Sequence, residues 1–217
     1  RKLIDQPLMR QVLADMTLEQ EAATALVIRL ARAFDGAEED SREASIARIM
    51  SPAIKYWVCK ALPGFAYEAM ECLGGNGYVE DGPLARLYRE APLNAIWEGS
   101  GNVMCLDVLR AIKKDPEGLA GILDGMIHCA DGEARLVNAV EMLRERFANP
   151  SGLEADVRFV VERFVHTAAG CLLLKSAPDA VSEAFVASRI KGSYRGTYGS
   201  LRGADIGAIL ERSQPVY

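Results

Sequence analysis

The chain has 217 residues, of which 50% are hydrophobic and 25% are charged, and its net charge at pH 7 is −5. This length allows a substantial hydrophobic core, and the acidic balance excludes a general electrostatic attraction to nucleic acid or to membranes. No apolar run is long enough to span a membrane and no signal-peptide pattern is present, so we expect a soluble, cytoplasmic protein.

The five cysteines and two histidines do not form a pattern that would bind a metal. The cysteines are odd in number, widely spaced and set in apolar stretches, which is typical of reduced thiols in a core. His128 and His166 lie at no metal-ligand spacing from each other or from a cysteine. We therefore expect no metal site.

Helical periodicity dominates the first half of the chain. Pro7 suits the first position of a helix whose apolar residues recur at helical spacing to about Ala33. A second helix is predicted to begin at Ser41 and to end at Leu73, with a kink or a split at Pro52 and Pro63. Two more helices are expected, a short one between Pro83 and Pro92 and another over 100–112.

A glycine-rich run and a lone acid follow the second helix. Three glycines fall within the four positions 74–77, where the backbone can take a positive φ and approach a ligand closely. Glu98 then stands just before a helix start, in the run 96–102. Turns between helices use such glycines for conformation alone, and an acid before a helix is often only a partner of the helix dipole. The residues alone leave both readings open.

The second half of the chain reads as one helix after another. The segment 114–118 is a clear break and the best candidate for a boundary between a module over 1–114 and an additional helical layer over 115–217. The predicted helices beyond it cover 119–130, 132–147, 153–176, 178–190 and 204–211. No sustained β-alternation occurs anywhere. The fold class is therefore all-α, an antiparallel helical bundle with an additional C-terminal helical extension.

Together these residues resemble the C-terminal helical domain of the acyl-CoA dehydrogenase superfamily of flavoenzymes. In that family a Leu-Gly-Gly-x-Gly-Tyr stretch precedes an aromatic-Glu-Gly-Thr/Ser-x-Gln/Asn stretch at this separation, as 73–78 and 97–102 do here. Trp97, Ser100 and Asn102, in place of the commoner Tyr, Thr and Gln, point to its AidB-like branch. The resemblance lies in motifs up to Arg110 and only in the succession of helices beyond it.

The resemblance implies α,β-desaturation of a short or branched acyl-CoA with FAD as cofactor. Glu98 takes the position of the family's catalytic base, where a carboxylate shielded from water removes the proton next to the thioester. Some family members place the base on another helix, and dehydrogenase activity of the AidB-like branch is uncertain. The residues that correspond to FAD-binding positions are Gly74, Gly75, Trp97, Gly99, Ser100, Gly101 and Asn102.

Three charged residues near the glycine run need separate mention. Glu71 replaces the Gln that many family members carry, and a carboxylate beside a pyrophosphate would be repelled. We expect it to turn away, to pair with a cation such as Arg86, or to mark a changed contact. Arg86 and Arg89 are equally compatible with a ligand contact and with a salt-bridged surface.

The basic C-terminal tail supports an alternative function. Cations outnumber acids from residue 189 onward although the whole chain is acidic, and the AidB-like branch is associated with DNA binding through its C-terminal region. An ordinary solvated terminus explains the same composition. The residues that this alternative assigns to contacts with double-stranded DNA are Arg110, Arg189, Lys191, Arg195 and Arg202.

Two further expectations come from the resemblance. Its members are tetramers whose C-terminal helices form the subunit core, so a homotetramer is expected and the chain can be read chiefly as an assembly domain. The chain begins without Met, and we expect it to be a fragment of a longer protein, because the family carries an N-terminal helical domain and a middle β-domain upstream. We expect such a fragment to be a poor catalyst on its own.

Overall fold

The computed structural model describes residues 2–149, 151–191 and 197–214. Within these ranges it is all-α and contains no β-strand, which confirms the predicted fold class. No helix in them has the length and apolar character that crossing a membrane requires. The helices are α1 (Pro7–Gly36), α2 (Ser41–Cys72), α3 (Gly75–Tyr78), α4 (Leu84–Asn94), α5 (Gly101–Lys114), α6 (Pro116–Ala130), α7 (Ala134–Ala148), α8 (Val157–Ser176), α9 (Asp179–Phe185) and α10 (Ile206–Ser213).

The long helix α2 is continuous, so the predicted split at its prolines is wrong. Pro52 and Pro63 both lie inside the helix, and Pro52 is buried. A proline removes one backbone hydrogen bond from a helix. Here α2 packs against α1, α4, α5 and α6 along its length, and this packing holds the helical path across both prolines. Asp40 caps the helix, since its side chain accepts a hydrogen bond from the Arg42 amide.

The two halves of the chain share one hydrophobic core. Helix α8 packs against α1, α2 and α5 of the first half and against α6 and α7 of the second. Leu18, Ile49, Phe164, Phe185 and Leu210 are almost fully buried members of one continuous cluster. Of the predicted break over 114–118, only Asp115 lies outside the helices. Its side chain caps α6 and also accepts a hydrogen bond from the Ser45 hydroxyl. The division into domains over 1–114 and 115–217 stays a prediction.

Several helix boundaries in the second half differ from those predicted. Helix α8 begins at Val157 rather than at residue 153, after turns over 151–156. The helix predicted over 178–190 is α9 followed by a π-helical segment, Val186–Lys191. π-Helical turns are rare and insert an extra residue into the helical path. In this segment Arg189 is buried, whereas Lys191 is exposed.

Gly77 lies where α3 touches the end of α2. An alanine Cβ at this position would overlap the carbonyl oxygen of Met70, so the backbone must move to admit it. We expect Gly77→Ala to lower the free energy of unfolding by about 1–3 kcal/mol, the usual cost of overpacking. Gly75→Ala is the matched control, since nothing lies within 4 Å of its added Cβ. Equal urea midpoints for the two variants would contradict this.

His166 is buried between two aromatic rings. Its ring centroid lies 5.2 Å from that of Trp57 and 6.1 Å from that of Phe185, both edge-on. Burial, with the positive charges of Arg163 and Arg189, lowers the pKa of His166 to about 3. The imidazole is therefore neutral in the folded protein and packs as an apolar ring would.

The lowered pKa of His166 predicts acid sensitivity. Below pH 6.5 the unfolded chain binds a proton at this histidine while the folded protein does not, until the pH approaches 3. The contribution of the neutral histidine to stability is therefore fully present above pH 6.5. Below this pH the free energy of unfolding falls by at most about 1.4 kcal/mol per pH unit. Between pH 6.5 and 4.5 the free energy of unfolding of the wild type should fall by about 2 kcal/mol more than that of His166→Phe. Urea unfolding measures this, and the exposed His128→Gln variant should behave as wild type.

Candidate active site

The loop between α4 and α5 carries Glu98 in an unusual backbone conformation. Glu98 has a φ of +52° and Gly99 a φ of +113°. A left-handed conformation disfavours residues with a Cβ, so surrounding contacts must hold Glu98 there. Lys55 of α2 provides them, because its Nζ donates to the carbonyl oxygens of Trp97 at 2.8 Å and of Gly99 at 2.5 Å. The carbonyl groups of the residues before and after Glu98 are therefore fixed to α2.

Glu98 lies at the edge of an open groove. The groove has a volume of about 570 Å³ and is formed by the end of α1, the first half of α2 and the start of α5. Phe34, Lys55 and Met104 line it with Glu98, which is exposed. The expectation that Glu98 is shielded from water is therefore not met by this chain alone. Any shielding must come from a ligand or from further protein.

The charges beside this groove are largely neutralised by each other. Arg48 donates two hydrogen bonds of 2.9 Å to the carboxylate of Asp107. This pairing lowers the pKa of Asp107 and raises that of Arg48. Glu98 has no such partner among the ion pairs of the described residues.

The N-terminus of α5 is suited to bind an anion. Ser100 is the N-cap residue, but its side chain makes no capping hydrogen bond, which leaves the hydroxyl available. The first amides of a helix lack partners inside the helix and carry a partial positive charge. Arg158, at the start of α8, donates from Nε to Asn102 Oδ1 at 2.8 Å. The exposed guanidinium adds positive charge at the same helix end.

The glycine turn lies apart from this loop, beyond α4. Gly74 has φ +56° and ψ −139°, a conformation that requires glycine, and Gly75 begins α3. Both positions leave open space around the backbone. Leu73 and Tyr78 flank them and are exposed. The turn thus presents backbone and apolar side chains to the outside of this chain.

The charged residues near the turn are paired among themselves. Arg89 donates two hydrogen bonds to Glu80, at 2.6 and 2.9 Å, and Arg86 Nε lies 3.8 Å from Glu90. Glu71 accepts a hydrogen bond from the Tyr67 hydroxyl and so raises the pKa of Tyr67. Of the three alternatives expected for Glu71, the pairing with Arg86 is not formed, since Arg86 pairs with Glu90. Arg86 and Arg89 have the arrangement of a salt-bridged surface.

The predicted DNA contacts are not equivalent in the structure. Arg110, Lys191 and Arg202 are exposed. Arg189 is 3% exposed and its Nη1 lies 2.5 Å from Asp15 Oδ1, so it belongs to the interior. The prediction of Arg189 as a surface cation that contacts DNA is corrected, because its side chain is buried. Arg195 lies outside the described residues.

Sequence reasoning missed two residues of the site, Lys55 and Arg158. The partners of Lys55 are backbone carbonyls 42 and 44 residues away, and Arg158 meets Asn102 across 56 residues. In the sequence both read as ordinary helix-surface cations. No local sequence pattern indicates contacts between residues so far apart in the chain, so the sequence alone does not predict these two roles.

Comparison with known proteins decides the family. The family model for the acyl-CoA dehydrogenase C-terminal domain matches residues 1–113. The chain belongs to this family. The resemblance drawn from the glycine and Glu98 motifs is thereby confirmed.

The relatives of this acyl-CoA dehydrogenase domain extend the similarity beyond the matched residues. The putative acyl-CoA dehydrogenase AidB of Escherichia coli (strain K12) is 44% identical over 184 residues, 84% of this chain and 33% of that protein. Acyl-CoA dehydrogenase family member 11 of Caenorhabditis elegans is 36% identical over 107 residues, 48% of this chain and 17% of that protein. The chain thus spans at most a third of the length of these relatives.

A solved structure agrees on the fold. The crystal structure of Caenorhabditis elegans ACDH-11 in complex with C11-CoA superimposes with a TM-score of 0.78 at 22% identity. The match covers 89% of this chain and 38% of that one. Both the first helices and the later ones are therefore arranged as in a known acyl-CoA dehydrogenase.

Proposed function

We propose that this chain is the C-terminal part of an FAD-dependent acyl-CoA dehydrogenase of the AidB-like type, which desaturates a short or branched acyl-CoA between its α- and β-carbons. The observation that carries the proposal is the loop of Glu98. Lys55 fixes the carbonyl groups of Trp97 and Gly99, the residues before and after this acid, and the acid borders an open groove. A positioned carboxylate without an ion-pair partner is what proton abstraction requires.

In this proposal Glu98 is the general base. It would remove the α-proton, which the neighbouring thioester carbonyl acidifies, and hold that proton on its carboxylate. Its position depends on Lys55, because a left-handed glutamate would otherwise relax to a commoner conformation. Trp97 is 53% exposed and would form an apolar wall beside the reacting atoms. Such a wall excludes water and favours proton transfer.

The residues at the start of α5 fit the phosphate and ribityl parts of FAD. The first-turn amides, beginning at Gly101, can donate to phosphate oxygens, as can the free hydroxyl of Ser100. Gly99 has a φ of +113°, a backbone conformation that residues with a Cβ rarely adopt. Arg158 orients Asn102 and supplies a cation. When bound, FAD accepts the hydride from the β-carbon.

The exposed apolar residues support a homotetramer. A soluble monomer rarely exposes a large contiguous apolar surface. Here exposed apolar side chains follow each other from the glycine turn to the Glu98 loop, namely Leu73, Tyr78, Val79, Leu87, Tyr88, Leu93, Ile96 and Trp97. We assign this surface to contacts with FAD and with the other subunits. An assembly role for the domain is compatible with catalysis.

The proposal is tested on the full-length protein that carries this chain. The protein is purified, its visible spectrum is recorded, and acyl-CoA esters of several lengths, isovaleryl-CoA among them, are added without oxygen. We expect bound FAD whose oxidised absorbance is lost with at least one ester. A flavin that stays oxidised with every ester would contradict the proposed activity, and a protein without flavin would contradict the assigned cofactor.

DNA association remains the second candidate function, because Lys191 and Arg202 are exposed near the C-terminal end of the described chain. Each phosphate contact contributes about 0.9 to the slope of log affinity against log salt concentration. We expect Arg202→Gln to reduce the slope for double-stranded DNA by about that amount. Arg86→Gln, which removes a surface cation of α4, should leave the slope unchanged. If the wild type, Arg202→Gln and Arg86→Gln all give the same slope, Arg202 does not contact the DNA.

A further inference from the structure

Cys129 and Cys171 face each other across the interface of α6 and α8. The thiol of Cys129 donates to the backbone carbonyl oxygen of Cys171 at 3.0 Å, and the thiol of Cys171 lies 3.5 Å from the carbonyl oxygen of Met126. The two thiols are also within hydrogen-bonding reach of each other. A disulfide needs an S–S bond of about 2.05 Å between side chains that already face each other. The contact of Cys129 Sγ with the Cys171 backbone places the two side chains next to each other on the packed helices.

Both sulfurs border the same cavity. It has a volume of about 160 Å³, lies among α1, α2, α6 and α8, and is lined mostly by apolar side chains such as Leu26, Ile54 and Met126. A cavity that holds one water needs only about 10–15 Å³. A hydroperoxide as small as hydrogen peroxide therefore fits beside the two thiols. Cys171 is 2% exposed, so the cavity is its route to small reagents.

The charges around the pair favour a thiolate at Cys129. The interaction with Cys171 lowers the pKa of Cys129, against the effect of burial. The ammonium of Lys175 lowers it further, and Asp131, which pairs with Lys175 at 3.0 Å, opposes this. Arg29 and Arg42 are the cations on the cavity wall, and Arg29 is paired with Glu43.

The other cysteines lack these features. Burial raises the pKa of Cys59 and of Cys72, and it raises that of Cys105 to about 11. A thiolate is the form that attacks a peroxide. Cys129 therefore differs from these three cysteines in two ways. Its pKa is lowered, and a second cysteine lies beside it.

We propose that Cys129 and Cys171 are a peroxide-sensitive dithiol pair that closes to a disulfide between α6 and α8. The Cys129 thiolate attacks one oxygen of hydrogen peroxide, the O–O bond breaks, and the hydroxide leaves as water after taking a proton. Cys129 is then a sulfenic acid. The sulfur of Cys171 attacks it, and the departing hydroxide takes the Cys171 proton. In total, two thiols and one hydrogen peroxide give one disulfide and two waters.

The test needs no variant at first. The reduced, purified protein is treated with a small excess of hydrogen peroxide, its remaining thiols are alkylated, and the digest is analysed by mass spectrometry. We expect a cross-linked pair of peptides containing Cys129 and Cys171, 2 Da lighter than the reduced pair, while Cys59 and Cys72 remain alkylated. The rate should rise with pH, because the thiolate is the form that attacks the peroxide.

Variants separate the two steps. In Cys171→Ser the oxidation should stop at a Cys129 sulfenic acid that dimedone traps, and in Cys129→Ser the Cys171 thiol should stay reduced. Cys72→Ser is the matched control and should form the cross-link as wild type does. Circular dichroism reports whether each variant is folded. Oxidation of Cys59 or Cys72 before the pair, or over-oxidation of Cys129 without a cross-link, would overturn the proposal.

Discussion

Glu98→Gln should slow the reduction of bound flavin by acyl-CoA by about 10²–10⁴-fold, the usual contribution of a general base. Glutamine keeps the size of the side chain but cannot accept the α-proton at neutral pH. The backbone hydrogen bonds of Lys55 on either side of residue 98 do not involve the carboxylate, so the loop should keep its shape. Anaerobic stopped-flow absorbance measures the effect directly.

The control for this experiment is Glu90→Gln. Glu90 is an exposed acid of α4 that pairs with Arg86 at 3.8 Å and lies outside the groove. It should reduce flavin at the wild-type rate. FAD content and the affinity for acyl-CoA should be unchanged in Glu98→Gln. If Glu98→Gln reduces its flavin as fast as wild type, another residue is the base and the loop has a structural role.

Arg189→Met should destabilise the protein by about 3–5 kcal/mol, the largest change in stability that we expect for a single substitution. The side chains of Arg189 and Asp15 are 1% and 0% exposed, and Glu19 lies 3.4 Å from Arg189 Nη2. Removing the cation leaves two buried carboxylates without its charge. Asp15 also accepts hydrogen bonds from the amides of Gly199 and Ser200, so the loss extends to the segment after the π-helical turn.

Urea unfolding of Arg189→Met against Arg86→Met tests this expectation. The ion pair of Arg86 with Glu90 is 68% and 62% exposed, and its loss should change stability by no more than about 0.5 kcal/mol. Asp15→Asn in the Arg189→Met background should recover part of the loss, because it removes one of the uncompensated charges. A stability of Arg189→Met close to that of Arg86→Met would contradict the importance of the buried pair.

Local signals made much of the helical layout predictable from sequence. Pro7 at the start of α1 and the polar turn before Ser41 are both found where expected, because caps and first-turn prolines act within a few residues. A split of α2, one of the two outcomes predicted at Pro52 and Pro63, is not formed, although helix-breaking by proline is also a local tendency. It was overridden by packing on several sides of α2, which the sequence does not display.

The candidate site was predictable only in part, for a related reason. Glu98 and the helix start after it follow each other in the chain and could be read as one motif. The burial of Arg189 depends on Asp15, which is 174 residues away. A cation near other cations and glycines reads locally as a solvated tail, and only the folded core shows that this one is a structural ion.

The proposed activity of the full-length protein is the removal of two hydrogens from an acyl-CoA. The most direct measurement is a single turnover of the full-length protein with isovaleryl-CoA in the absence of oxygen, with the CoA esters analysed by mass spectrometry. We expect one equivalent of an ester 2 Da lighter than the substrate for each flavin reduced. Flavin reduction without this product, or an unchanged ester beside an oxidised flavin, would contradict the claim for this substrate.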